Sequence, residues 1–263
     1  MKKLLIALAF TLLPMAVMAA GGKSCGTIEC EKITVDPTDQ PSLQRGAQTF
    51  VNFCMGCHEA KYSRYGRVAD DLGIPEQIAM DNLIFDDSKL GSLMINGITP
   101  VDAKKWFGAA PPDLTLVARS RGNDWLYTYL LNFYEDPSRP WGVNNLVFKD
   151  VGMPHVLREL QGSTVCKPAY AVNEKGDIKR DPLTGNPEED PHHPCGRVVS
   201  VGNEGIGDKE YEQVVYDLTN FMAYMAEPMA EQRKQIGIYV LLFLCVLFVF
   251  VYLLNREYWK DIH

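Results

Sequence analysis

Residues Cys54-Met55-Gly56-Cys57-His58 place two thiols three positions apart and an imidazole directly after the second. This C-x-x-C-H pattern is the attachment signature of c-type haem. The spacing has a physical reason. Two thiols one helical turn apart can add to two vinyl groups on adjacent edges of a porphyrin. The histidine beside the second thioether then points a ring nitrogen at the iron, and Gly56 leaves space for the ring. A thioredoxin-like pair asks instead for a βαβ setting, whereas this motif closes a helical pattern. Zinc asks for further thiols or histidines close in sequence, and none follow. A Cys54–Cys57 disulfide stays open. The motif occurs once, so one covalently bound haem c is expected.

The iron's second axial ligand decides what such a group does. Histidine plus methionine closes the iron and suits electron transfer at relatively high potential, whereas an open position suits gas binding or peroxide chemistry. Ten methionines are present. Met222, Met225 and Met229 fall at helical spacing and read as packing. Met1, Met15 and Met18 lie in the leader and Met55 inside the motif, so Met80, Met94 and Met153 remain. Met153 lies between Gly152 and Pro154, where a short, stiff backbone can be held against a haem face. His155, His192 and His193 are rival ligands.

These groups need a frame. From Ser42, an N-cap candidate after Pro41, Leu43, Ala47, Phe50, Val51 and Cys54 recur at intervals of three and four, which predicts a helix leading into the motif. Further helices are expected near 75–84, 100–107 and 124–134, with turns at Gly73, Gly97, Gly108 and Pro111-Pro112. Residues 163–206 are polar, rich in Pro and Gly, and read as a long surface excursion. Asp208 starts another helix, whose face carries Tyr211, Val214, Val215, Leu218, Met222 and Met225. Pro228 breaks it, and a short amphipathic link follows. The fold class is mainly α, with no strand-rich region.

The two ends set the compartment. Lys2 and Lys3, an apolar run and Val17-Met18-Ala19 read as a cleavable secretory signal over residues 1–19. Residues 236–254 carry no charge and span roughly 28 Å at 1.5 Å per residue, close to the hydrocarbon thickness of about 30 Å. Tyr239, Tyr252, Tyr258 and Trp259 flank this span as interfacial aromatics do. Export of residues 20–232 leaves 255–263 as a cytoplasmic tail of a single-pass protein in the bacterial inner membrane. The whole chain of 263 residues has a net charge of −7. The exported part holds 20 Lys and Arg against 31 Asp and Glu, a balance of −11. That charge argues against nucleic-acid binding, which asks for a basic face. It would steer a basic soluble partner or serve solubility alone, and the charge by itself does not choose between the two.

Taken in order, Cys54–His58, Ala110-Pro111-Pro112-Asp113-Leu114, Arg119-Ser120-Arg121, Trp141-Gly142-Val143-Asn144-Asn145, Val151-Gly152-Met153-Pro154 and one C-terminal anchor resemble the cytochrome c1 family. That family is the haem c subunit of the bacterial ubiquinol–cytochrome c reductase (bc1) complex. The resemblance covers nearly the whole mature chain. It implies a c-type cytochrome domain in the periplasm, with Cys54 and Cys57 as thioethers and His58 and Met153 as the iron ligands. It implies that a carbonyl of Pro111 or Pro112 holds the other ring N–H of His58, and that Arg121, or else Arg119, pairs with a haem propionate. From the residues alone, those arginines read as surface ion pairs with Asp113 or Asp124. Trp141, Asn144 and Asn145 are expected in the haem pocket or its loop.

The implied partners are cytochrome b, the Rieske iron–sulfur protein as electron donor, and a soluble c-type cytochrome as acceptor, within a dimeric complex. Quinol chemistry belongs to cytochrome b, so the chain is one subunit of an oxidoreductase. A cytochrome of another respiratory complex, such as a terminal oxidase, and an open-iron haem enzyme or gas sensor are the alternatives. Cys245 lies in the span. Cys25, Cys30, Cys166 and Cys195 allow three pairings. A stapled loop in bacterial relatives points to Cys166–Cys195, with Cys25–Cys30 as a local bridge.

Overall fold

The computed structural model describes residues 24–173, 177–190, 195–202 and 204–260. The leader, its cleavage site, His192 and His193 lie outside the described residues. In chain order the elements are α1 (Gln40–Phe53), β1 (Ala60–Arg64), α2 (Tyr65–Asp71), α3 (Glu76–Leu83), β2 (Leu93–Met94), α4 (Pro100–Phe107), α5 (Val117–Arg121) and α6 (Asn123–Leu131). Then come β3 (Phe133–Glu135), β4 (Val143–Asn145), α7 (Arg158–Gln161), β5 (Thr164–Lys167), β6 (Arg197–Ser200), α8 (Asp208–Ala226) and α9 (Ala230–Tyr258). The chain divides into two units. One comprises Thr34–Ser120 and Lys209–His263, the other Met1–Ile33 and Arg121–Asp208.

In the first unit, α1 starts two residues before the expected Ser42. Pro41 has no N–H to satisfy and fits the first turn, and the Asp39 carboxylate caps the helix by accepting from the Ser42 N–H at 3.1 Å. Ser42 is therefore inside the helix, fully buried, and its hydroxyl donates to Asp217 of α8 at 2.7 Å. Leu43, Ala47, Phe50 and Val51 bury one face of α1, and Val215, Leu218, Phe221 and Met222 bury one face of α8. Phe50 and Phe221 meet with ring centroids 5.6 Å apart. A Cβ on Gly46 would collide with the Asp217 carbonyl, so the glycine sets how closely these two helices approach. Asp217 is buried and accepts from Arg45 Nε at 2.6 Å and Nη2 at 3.0 Å.

The break at Pro228 falls where the sequence places it, between α8 and α9. The amphipathic link does not form a separate element: residues 230–235 are the first turns of α9 itself. This 29-residue helix is long and apolar enough to cross a membrane, with a mean hydropathy of 2.9 over its most apolar window, and it is buried nowhere in the chain. Glu227, in the elbow, takes Arg233 at 2.7 Å and Arg119 at 3.2 Å.

In the second unit, the helix expected over 124–134 ends at Leu131. Phe133 and Tyr134 pair instead with Asn145 and Asn144 in the antiparallel β3–β4 ladder, a setting that suits aromatic side chains. The 163–206 excursion is more regular than its composition suggests. β5 and β6 pair from Thr164↔Ser200 to Lys167↔Arg197, and bridges at Tyr170↔Glu189, Val172↔Ile178 and Arg180↔Pro187 extend the ladder outward. Cys166 and Cys195 are disulfide-bonded with Cα atoms 5.5 Å apart, and Cys25 and Cys30 form a second bridge.

Candidate haem site

The motif is the continuation of α1. Cys54 N–H donates to the Phe50 carbonyl at 2.9 Å, and both Cys57 N–H (3.1 Å) and His58 N–H (2.9 Å) then close on the Cys54 carbonyl. This tight turn fixes two thiols and an imidazole on one short piece of backbone. Cys54 and Cys57 are both free thiols, not joined to each other. Burial, with the neighbouring Cys57, pushes the Cys54 thiol up to about 12. A redox-active dithiol shows the opposite shift. A Cβ on Gly56 would meet nothing within 4 Å, so the chain's own packing does not require the glycine there.

His58 is buried, and its Nδ1 lies 2.7 Å from the Pro112 carbonyl. A carbonyl can only accept, so Nδ1 carries the proton and Nε2 keeps a lone pair. Burial lowers the His58 pKa, outweighing the Pro112 hydrogen bond and Asp113, which act to raise it. A buried, neutral imidazole with one nitrogen held by a carbonyl is the form that ligates a metal. The Pro111-Pro112 loop is itself pinned. Asp113 accepts from the Lys61 N–H of β1 at 2.8 Å and from the Thr115 N–H at 3.1 Å, and Leu114 N–H reaches the Glu59 carbonyl. The donor set therefore fits a covalently attached haem: two unpaired thiols and one neutral histidine with a free ring nitrogen.

Met153 belongs to the second unit and is half-buried. It packs with Tyr129 against a core of Phe133, Val143 and Val151. Its loop is held from several sides. Asn144 Oδ1 accepts from the Asp150 N–H at 2.8 Å, and Arg139 reaches both the Asp150 carboxylate (3.1 Å) and its carbonyl (3.0 Å). Asp150 adopts φ 61°, an unusual conformation for a residue with a Cβ, and these contacts hold it there. Asn145 Oδ1 accepts from the Val147 and Phe148 N–H groups. The asparagine pair thus organises the loop that precedes Met153. Trp141 is 42% exposed.

His155 stacks on Phe133 with centroids 4.9 Å apart, and its Nε2 is buried without a hydrogen-bond partner. Met94, a rival on sequence, is 1% exposed and lies in the β1–β2 pair. The arginines do not take the ion pairs read from sequence. Arg119 pairs with Glu227, Arg121 lies over the Trp125 ring at 5.1 Å, and Asp124 is occupied by Lys32 at 2.7 Å. His58, Pro111 and Pro112 are brought together in one unit; Met153 and Arg121 are placed in the other.

Over its whole length the chain is 46% identical to cytochrome c1 of Allochromatium vinosum, with all of both chains covered. The chain belongs to the cytochrome c1 family. The Cytochrome C1 family model matches residues 203–262, a stretch that contains α8 and α9. Cytochrome c1 of Rhodospirillum rubrum is 28% identical over 85% of this chain and 83% of its own. A protein of Nitrosomonas europaea named ammonia monooxygenase gamma subunit is 40% identical, covering 97% of each chain. As a member of the cytochrome c1 family, the protein is a membrane-anchored monohaem c-type cytochrome, the electron-transport subunit of the bc1 complex, and it binds one haem c covalently.

Sequence reasoning missed four residues that bear on these groups. Gly46 and Asp217 set the α1–α8 contact from far apart in the chain, Arg139 holds the Asp150 turn before Met153, and Tyr129 lies against Met153. Only Gly46 carried a local signal, a glycine inside a helical pattern.

Proposed function

We propose that the chain accepts one electron from the Rieske iron–sulfur protein and delivers it to a soluble c-type cytochrome, beside cytochrome b in a dimeric complex. The haem, when bound, supplies the one-electron couple. Cys54 and Cys57 hold it covalently, His58 Nε2 and Met153 Sδ ligate the iron, and Arg121 pairs with a propionate. Arg121 is free to do this because its guanidinium rests on an aromatic face rather than in an ion pair with Asp124. Residues 20–232 form the periplasmic domain, 236–254 cross the inner membrane, and 255–263 lie in the cytoplasm after residues 1–19 are removed. The −11 balance of the exported part supplies a docking field for a basic acceptor, strongest at low salt.

The observation that carries this reading is the His58–Pro112 contact, which fixes a neutral imidazole beside two unpaired thiols. Met153→Leu in the intact complex tests the ligand set. The expected result is loss of the far-red methionine–iron band and a lower midpoint potential. An unchanged band and potential would overturn it. Carbon monoxide binding by the reduced native protein at neutral pH would favour an open iron instead.

A further inference from the structure

We propose that Tyr129 tunes the iron through Met153, its phenol donating a hydrogen bond to the thioether sulfur; the inference rests on Met153 being the axial ligand. The phenol oxygen lies 3.5 Å from Met153 Sδ, within range for an O–H donor to sulfur. The tyrosine is held for this task. Its ring stacks on Trp125 with centroids 5.0 Å apart and planes 8° from parallel, and Phe133 meets it edge-on at 5.1 Å. Asn145 Nδ2 donates to its carbonyl at 2.8 Å, so the residue that orders the Met153 loop also fixes the backbone of Tyr129.

A thioether sulfur has two lone pairs. One can donate to the iron while the other accepts the phenol proton. The hydrogen bond draws density from the sulfur and weakens its donation. The ferric state depends on that donation more than the ferrous state, so the contact raises the potential. It also fixes which lone pair faces the metal. Tyr129 is thus a positioning residue, and a merely structural role would move stability without moving the potential.

Tyr129→Phe in the complex as purified from membranes is the test. The expected result is a lower midpoint potential with the far-red band retained but shifted. A second protein carries 3-fluorotyrosine at 129, which keeps the shape and strengthens the donor; its potential should move the opposite way. If Tyr129→Phe does not assemble, the fluorotyrosine protein decides alone. A native potential in both proteins overturns the inference while leaving Met153 as ligand, provided Met153→Leu loses the band. A band that survives Met153→Leu overturns the ligand reading and the inference together.

Discussion

Nδ1 of His58 and the carbonyl of Pro112 meet at 2.7 Å across 54 positions of sequence. The acceptor is main-chain, so no side-chain substitution deletes it; what can be loosened is the loop that presents it. Asp113 does that presenting through its bonds to Lys61 N–H and Thr115 N–H. Asp113→Ala should destabilise the domain by about 1–2 kcal/mol, the worth of hydrogen bonds to a charged group discounted for partial exposure. It should also lower the potential as the imidazole loses its fixed orientation. Thermal unfolding followed at the haem band and a redox titration would read both, and a native value in each would refute the role.

The buried carboxylate of Asp217 joins α8 to Ser42 and Arg45 of α1, the helix that ends in the motif. Replacing Asp217 with Ala leaves the buried Ser42 hydroxyl short of an acceptor and breaks a close ion pair. A loss of about 3 kcal/mol is expected. Gly46→Ala should be at least as damaging, because its Cβ has no room against the Asp217 backbone. Denaturant titrations of the detergent-solubilised complex would measure both.

Asp124 gives a pH dependence. Burial acts to raise its pKa, but Lys32 and the Ile33 N–H outweigh that and hold it below the ordinary value of 3.8. A depressed folded pKa means that the stabilisation is complete above the unfolded value and is lost as pH falls through the folded one. Residues 31–33 should therefore become protease-sensitive below about pH 4. Asp124→Asn should show that sensitivity already at pH 7, and equal cleavage of native and variant protein at pH 7 would count against the contact.

The Cys166–Cys195 bridge closes a loop with a sequence separation of 29. Loop-closure entropy puts its stabilising effect at about 3–4 kcal/mol if the segment unfolds with the whole. The hairpin is a surface ladder, so the cost should be local. A double Cys→Ser variant should keep its haem spectrum and potential while residues 167–195 become readily cleaved. A shifted potential would show that the staple supports the haem site after all.

The legible parts of this chain were those whose signal is local. The C-x-x-C-H turn, the apolar face of α1, the break at Pro228 and the span all depend on neighbours within a few residues. The helix start was misplaced because Ser42 looks like a cap but is recruited by Asp217, 175 positions away. The end of α6 was misplaced because Asn144 and Asn145 offer Tyr134 and Phe133 a strand partner. The partner of Arg119, Glu227, was unreadable for the same reason, since charge alone does not choose among many carboxylates, whereas Arg121 meets Trp125 four positions on, a pairing that a search for carboxylates passes over. Tyr129 carried no sequence signal, since an aromatic at helical spacing reads as ordinary core.

The elbow between α8 and α9 is three residues long, and Glu227 within it is gripped by arginines from both α5 and α9. A joint so short and so clamped works as a mast step rather than a leash. The motif turn is tied to α8 through Asp217, so a short path of contacts joins it to the apolar helix. In the role proposed above, such a chain would be the fixed station, and the shuttling would fall to its donor and its acceptor.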